Sequence, residues 1–134
     1  MATTNTSATT GPAQTMPAPA PATHASQSGL WLEFGVCFGR SINILAKFRQ
    51  GDIHGFDSFQ GLPEDWKPGE PKGSYSTGGR LPEVADNVKL HTGWFEHSLP
   101  DFLARYQGAV SLVHIDCDLY SSTRTVLSLL ADRL

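Results

Sequence analysis

From Leu30 onward the apolar residues of this chain switch between the period of a strand and the period of a helix, and the switches mark its elements. Trp31, Leu32, Phe34 and Val36 form an apolar run of strand length, interrupted by Glu33. Gly35 and Gly39 then bracket a tight connection into a helix carrying Ile42, Leu45 and Ala46, and a second strand ends at Asp57. Residues 87–92 alternate and predict a third strand, closed by Gly93, Trp94 and Phe95. Residues 98–106 predict an amphipathic helix capped by Ser98, with Pro100 in its first turn and Leu99, Phe102, Leu103 and Tyr106 on one face. Gly108 ends it, and residues 110–115 make a fourth strand. Ser121, Ser122 or Thr123 can cap the last helix, whose apolar face is Val126, Leu127, Leu129, Leu130 and Leu134. Strands alternating with helices predict an α/β fold, a Rossmann-like doubly wound parallel sheet of about four strands.

Two stretches fall outside this rhythm. Residues 1–28 consist largely of Ala, Thr, Pro and Ser without a single Lys, Arg, Asp or Glu, and cannot bury enough apolar surface to offset their ordering entropy, so they are expected to be a disordered tail. That leaves residues 29–134 as the folded domain. Residues 58–87, rich in Gly and Pro, are too long for an ordinary connection and carry Trp66 and Tyr75, which favours a lid on the substrate side.

Composition narrows the function. At 134 residues, 40% hydrophobic and 17% charged, the chain has room for one globular domain. A net charge of −3 with scattered Lys and Arg argues against a nucleic-acid-binding face. No apolar run approaches the ~18 residues of a membrane span. Cys37 and Cys117 stand outside any loop-rich cysteine framework and read as small buried thiols in a reducing cytoplasm.

The candidate chemistry gathers at strand ends. Glycines let a backbone turn sharply against a ligand, and Asp57 lies ~20 residues past the turn, the offset at which an acid can hold both hydroxyls of a ribose. Cys37 stands where a dinucleotide fingerprint has its second glycine, and Glu33 puts negative charge where a diphosphate would be repelled but an ammonium welcomed. The site therefore suits a cationic nucleoside better than NAD. Asp116 and Asp118, at the end of the fourth strand, can share a hard cation such as Mg2+, or serve as a helix cap and a solvated acid. His114 in its apolar strand reads as a hydrogen-bonded core residue, and Trp94 and Phe95 either flank an adenine or pack in the core.

The motifs Glu33-Phe34-Gly35-Val36, Phe56-Asp57-Ser58-Phe59, Gly61-Leu62-Pro63-Glu64, Gly93-Trp94-Phe95 and the run from His114 through Asp116, Asp118 and Tyr120 to Thr123 resemble the macrocin O-methyltransferase family. Its members are class I S-adenosylmethionine-dependent methyltransferases acting on sugar hydroxyls of macrolide and aminocoumarin natural products. The resemblance implies that Glu33, Gly35 and Gly39 cradle the methionine part of the cofactor and that Asp57 holds the ribose, with Ser41, Ser58 and Trp94 as further cofactor contacts. It implies Asp116 as a Mg2+ ligand and general base, beside the Asp118 that the spacing already pairs with it, and a small-molecule hydroxyl as the methyl acceptor; charge and hydropathy give no nucleic-acid or membrane partner. Family members carry further metal-binding acids after a fifth strand. This sequence ends before one, so a truncated chain, either catalytic or only cofactor-binding, is expected, or a protomer whose sheet edge a second copy covers.

Overall fold

Four strands form one parallel sheet in the computed structural model, which describes residues 25–134. In chain order the elements are β1 (Leu30–Phe34), α1 (Arg40–Ala46), β2 (Ile53–Asp57), β3 (Val88–Thr92), α2 (Phe95–Arg105), β4 (Val110–Ile115), α3 (Tyr120–Leu130) and a closing 3-10 turn (Ala131–Arg133). The strands lie in the order β3-β2-β1-β4, all parallel, so the chain leaves β1 toward one edge and later returns to its other side. The Rossmann-like α/β fold expected from the hydrophobic pattern is what forms.

Alternation along β1 explains the two layers of core. Trp31 joins Ile42 and Ala46 of α1 with Ile53 and Val88 on one face. Leu32 and Phe34 join Phe56, Leu99 and Phe102, with Val126 and Leu130 of α3, on the other. Fully burying side chains of this size contributes roughly 1.5–3 kcal/mol each, so the two layers hold the sheet between its helices. Gly55 lets α1 lie close, because a Cβ there would stand 2.5 Å from Cδ1 of Ile42. Arg133 ties the end of α3 to the end of α2, its Nη2 donating to the carbonyl of Leu103 at 2.8 Å and its Nη1 to that of Tyr106 at 2.9 Å.

Both later helices begin before the residues expected to cap them. Helix α2 starts at Phe95, with Trp94 in the cap position and no side-chain cap, so Pro100 lies inside the helix rather than in its first turn. Ser98 is within the helix, and its hydroxyl is buried without a partner. Burial of Leu99 and Phe102 holds the helix through the proline, which sits on its exposed side. Helix α3 starts at Tyr120 after an extended Leu119, again without a side-chain cap. Ser121 and Thr123, expected to cap it, instead meet Glu64 and Cys117.

Of the tail expected to be disordered, residues 1–24 lie outside the described residues. Residues 25–28 are fastened to the domain: the Trp31 indole donates to the carbonyl of Ser26 at 2.9 Å, and Arg49 donates to that of Gln27 at 2.7 Å.

Candidate functional site

Strand order reverses between β1 and β4, and a cavity of about 990 Å3 opens outside their C-terminal ends. Its floor is the turn after β1. Gly35 sits at φ +94°, and a Cβ on it would stand 2.2 Å from the carbonyl oxygen of Asp116, so only glycine lets β1 and the end of β4 meet.

Asp57 governs the shape of this turn. Its Oδ2 accepts from the backbone N–H of Val36 at 2.9 Å and of Cys37 at 2.7 Å, and its Oδ1 accepts from the N–H of Phe59 at 2.9 Å. The carboxylate thus ties the turn after β1 to the start of the next loop while still lining the cavity. Charge-assisted bonds of this kind hold Cys37 at φ 53°, which favours glycine. The Cys37 thiol is pushed up by burial and by the charge of Asp57.

Glu33 and Gly39 stand behind the cavity wall rather than in it. Glu33 is 0% exposed. Its Oε2 accepts from the Ser41 hydroxyl at 2.7 Å and pairs with Nδ1 of His114 at 2.8 Å, while its Oε1 is buried without a partner. Burial raises its pKa, and the bonds from Ser41 and His114 oppose that rise. Ser41 itself lines the cavity, as do Ser58, Trp94 and Phe95, and Phe95 also packs edge-on against Phe34 at 5.4 Å.

Asp116 and Asp118 both line the cavity and are exposed. Asp118 adopts φ 65°, and its pKa is raised by burial and by the neighbouring Asp116. Among the described residues no group of three or more His, Cys, Asp or Glu side chains converges to hold a metal ion. Two carboxylates are a partial donor set for Mg2+.

Residues 58–82 fold against the open side. The Gly73 N–H donates to the carbonyl of Leu62 and the Leu62 N–H to that of Ser74, both at 2.9 Å, and the carbonyl of Phe59 accepts from Gly79 N–H at 2.9 Å, so the segment is a structured strap. Trp66, Lys67 and Tyr75 present it to the cavity, with the Lys67 ammonium 4.1 Å from the centre of the Trp66 ring. Besides the Phe59 N–H on Asp57, Ser121 of α3 donates to Oε2 of Glu64 at 3.1 Å and the Cys37 thiol donates to the carbonyl of Tyr75 at 3.5 Å, and these bonds tie the strap to the body. The Tyr75 hydroxyl donates to Glu70, which pushes its pKa up to about 12. None of these pairings was foreseen, because Glu64 and Ser121 are 57 residues apart and neither carries a local pattern.

In open α/β sheets ligands bind outside the carboxyl ends of the strands at the switch point, which is where this cavity lies. The chain belongs to the methyltransferase domain family, whose model matches residues 32–134. A solved structure titled "Structure of the O-methyltransferase NovP" superposes with a TM-score of 0.54 at 23% sequence identity, covering 78% of this chain and 52% of that one. The chain therefore spans about half the length of that structure, and the likeness establishes a shared fold. No curated protein matches. No helix among the described residues is long and apolar enough to cross a membrane.

Proposed function

We propose that this chain binds S-adenosylmethionine in the cavity at the β1/β4 switch point and takes part in methylating a hydroxyl of a sugar or other small molecule. The observation that carries this is the charge of the lining. Asp57, Glu64, Glu96, Asp116 and Asp118 face Arg40 and Lys67, an excess of acid that favours a cationic ligand over a diphosphate. The volume of about 990 Å3 is at the upper end for small-molecule sites and accommodates a nucleoside together with a small acceptor.

S-adenosylmethionine, when bound, supplies a methyl group made electrophilic by its positive sulfur. The protein's own part is placement and proton removal. Trp94 and Phe95 offer aromatic surface to an adenine, and Asp57 holds the turn that shapes the floor and stands where a ribose diol would lie. Asp116 is the candidate base: an exposed carboxylate at the strand end, able to take the proton of an acceptor hydroxyl as its oxygen attacks. A Mg2+ ion would have only Asp116 and Asp118 as acidic ligands among the described residues, with water completing its shell. No step here depends on it. The free thiols of Cys37 and Cys117 suit a reducing cytoplasm.

A second reading, cofactor binding without turnover, is favoured by the lack of a third converging acid among the described residues. Calorimetric titration with S-adenosylhomocysteine, followed by a methyl-transfer assay on neutral glycosides with and without Mg2+, separates the two. Binding with transfer that Asp116→Asn reduces by roughly 10²–10⁴-fold supports the base. Binding without transfer supports the second reading. Tight NADH binding with no affinity for S-adenosylhomocysteine removes both.

A further inference from the structure

A second, shallower groove of about 500 Å3 runs along the outer side of α3. Glu96, Ser121 and Thr125 line both this groove and the main cavity, so the two adjoin as one cleft. Neither the cofactor nor the candidate base reaches into it.

Tyr120, Arg124 and Ser128 line the groove at positions i, i+4 and i+8 of α3, which places them on one stripe of the helix. Tyr120 is 80% exposed, the most open of the large hydrophobic side chains among the described residues. Arg49, Arg105 and Arg133 are committed to backbone carbonyls, whereas Arg124 is exposed and has no hydrogen bond or ion pair among the described residues. A single exposed aromatic ring means little by itself. Here a ring, a free guanidinium and a hydroxyl share one stripe beside the Glu96 carboxylate, and the stripe opens onto a cavity.

The chemistry of this set selects its occupant. Arg124 only donates hydrogen bonds and ionised Glu96 only accepts them, while the Ser128 hydroxyl does both. One positive and one negative side chain favour neither an anion nor a cation. Neutral groups that each donate and accept satisfy all three, and the hydroxyls of a sugar ring are such groups. The C–H face of a pyranose, slightly positive, also matches the negative face of the Tyr120 ring.

We propose that this groove is a subsite for a second sugar ring of the acceptor, one unit away from the ring whose hydroxyl lies near Asp116. Tyr120 is the platform on which that ring stacks, and Arg124 and Ser128 hold its hydroxyls. This rests on the function proposed above and adds to it the size of the acceptor, a glycoside of at least two sugar units.

Amide NMR titrations of the full chain, saturated with S-adenosylhomocysteine, test it with methyl β-glycosides of glucose, galactose and rhamnose and with the matching disaccharide glycosides. At least one disaccharide is expected to bind about tenfold tighter than its monosaccharide and to shift amides of residues 120–128. Tyr120→Ala should reduce that gain to within about twofold of the monosaccharide, Tyr120→Phe should keep it, and Arg124→Ala should lower it at least about threefold. Both sites are exposed, and S-adenosylhomocysteine affinity should stay within about twofold in every variant, which separates a lost subsite from a damaged fold. No gain for any disaccharide, or a gain that survives both Tyr120→Ala and Arg124→Ala, overturns the subsite with the cofactor reading intact. A wild type that does not bind S-adenosylhomocysteine overturns the cofactor reading instead, and the same saccharide titrations without it then decide the subsite.

Discussion

The sheet face beneath α2 and α3 and the rim around the cavity are built from the same strands, yet they are governed by opposite rules. On the face, Phe34 and Phe56 stack at 4.7 Å, Phe102 and Tyr106 at 4.4 Å, and even the polar pair there, His54 and His91, is bonded to itself at 3.0 Å among these rings. At the rim the backbone bends the other way. Among the described residues the four non-glycine positions with positive φ, Cys37, Phe59, Tyr75 and Asp118, belong to the rim or anchor its strap. Strain is kept where surrounding bonds over-determine it, and here Asp57 bonds the N–H groups of Cys37 and Phe59 and Glu70 bonds the hydroxyl of Tyr75. The difference teaches that the face supplies the stability and the rim spends conformational freedom on shape.

Four experiments can break or sharpen that contrast. Gly35→Ala, at the junction of the two regions, is expected to have the largest effect, because a Cβ 2.2 Å from the Asp116 carbonyl forces β1 and β4 apart. A loss of more than about 4 kcal/mol is expected, most of the stability of a domain at the lower end of the usual range of about 5–15 kcal/mol. A folded, cooperative thermal melt for this variant would show the junction to be adjustable. Phe102→Ala empties the centre of the aromatic face and should cost about 3–5 kcal/mol in urea denaturation. A cost as small as that of a rim substitution would erase the contrast.

The histidine pair gives the third. Burial and the neighbouring His91 lower the pKa of His54 from 6.5 to about 4. Because the folded state disfavours the charged form, its contribution is fully present above pH 6.5, is lost as pH falls toward 4, and changes no further below that. Burial lowers His91 as well. Asp52, Arg49 and Lys89 are the other charges acting on His54. The acid-side loss should reach up to about 3 kcal/mol. His54→Gln should lack most of this slope, and an unchanged slope in urea midpoints between pH 7 and 4 would move the acid sensitivity elsewhere. The smallest effect belongs to the strap: Glu64→Ala removes its bond to exposed Ser121 and should change stability by no more than about 1 kcal/mol. Faster amide exchange confined to residues 58–82 is the expected signature, and exchange spread through the sheet would show that the strap is part of the core.

How much could be read in advance differed between these regions for a physical reason. The strands, the α/β order and the apolar faces were legible, since Leu32, Phe34, Leu99, Phe102, Val126 and Leu130 repeat at the periods their elements impose. Helix starts were misread at Ser98 and at Ser121, because capping residues are local signals and packing of Leu99 and Phe102, or a pairing with Glu64, outweighed them. Among the site residues, Gly35, Ser41, Asp57, Ser58, Trp94, Asp116 and Asp118 come together around one cavity, whereas Glu33 and Gly39 lie behind its wall.

By itself the order of residues determined the elements, the sheet type and the end of the sheet at which chemistry would gather, because periodicity and glycine turns act over a few neighbours. Which atoms face one another across the sheet was decided only by tertiary structure. Glu33 and His114 are 81 residues apart in the chain, and it is the register of β1 on β4 that puts the imidazole 2.8 Å from the carboxylate. In the same way it is the pairing of β1 with β2 that brings Asp57 beside the turn after β1, where its Oδ2 satisfies the N–H groups of Val36 and Cys37 while its Oδ1 takes that of Phe59 in its own loop.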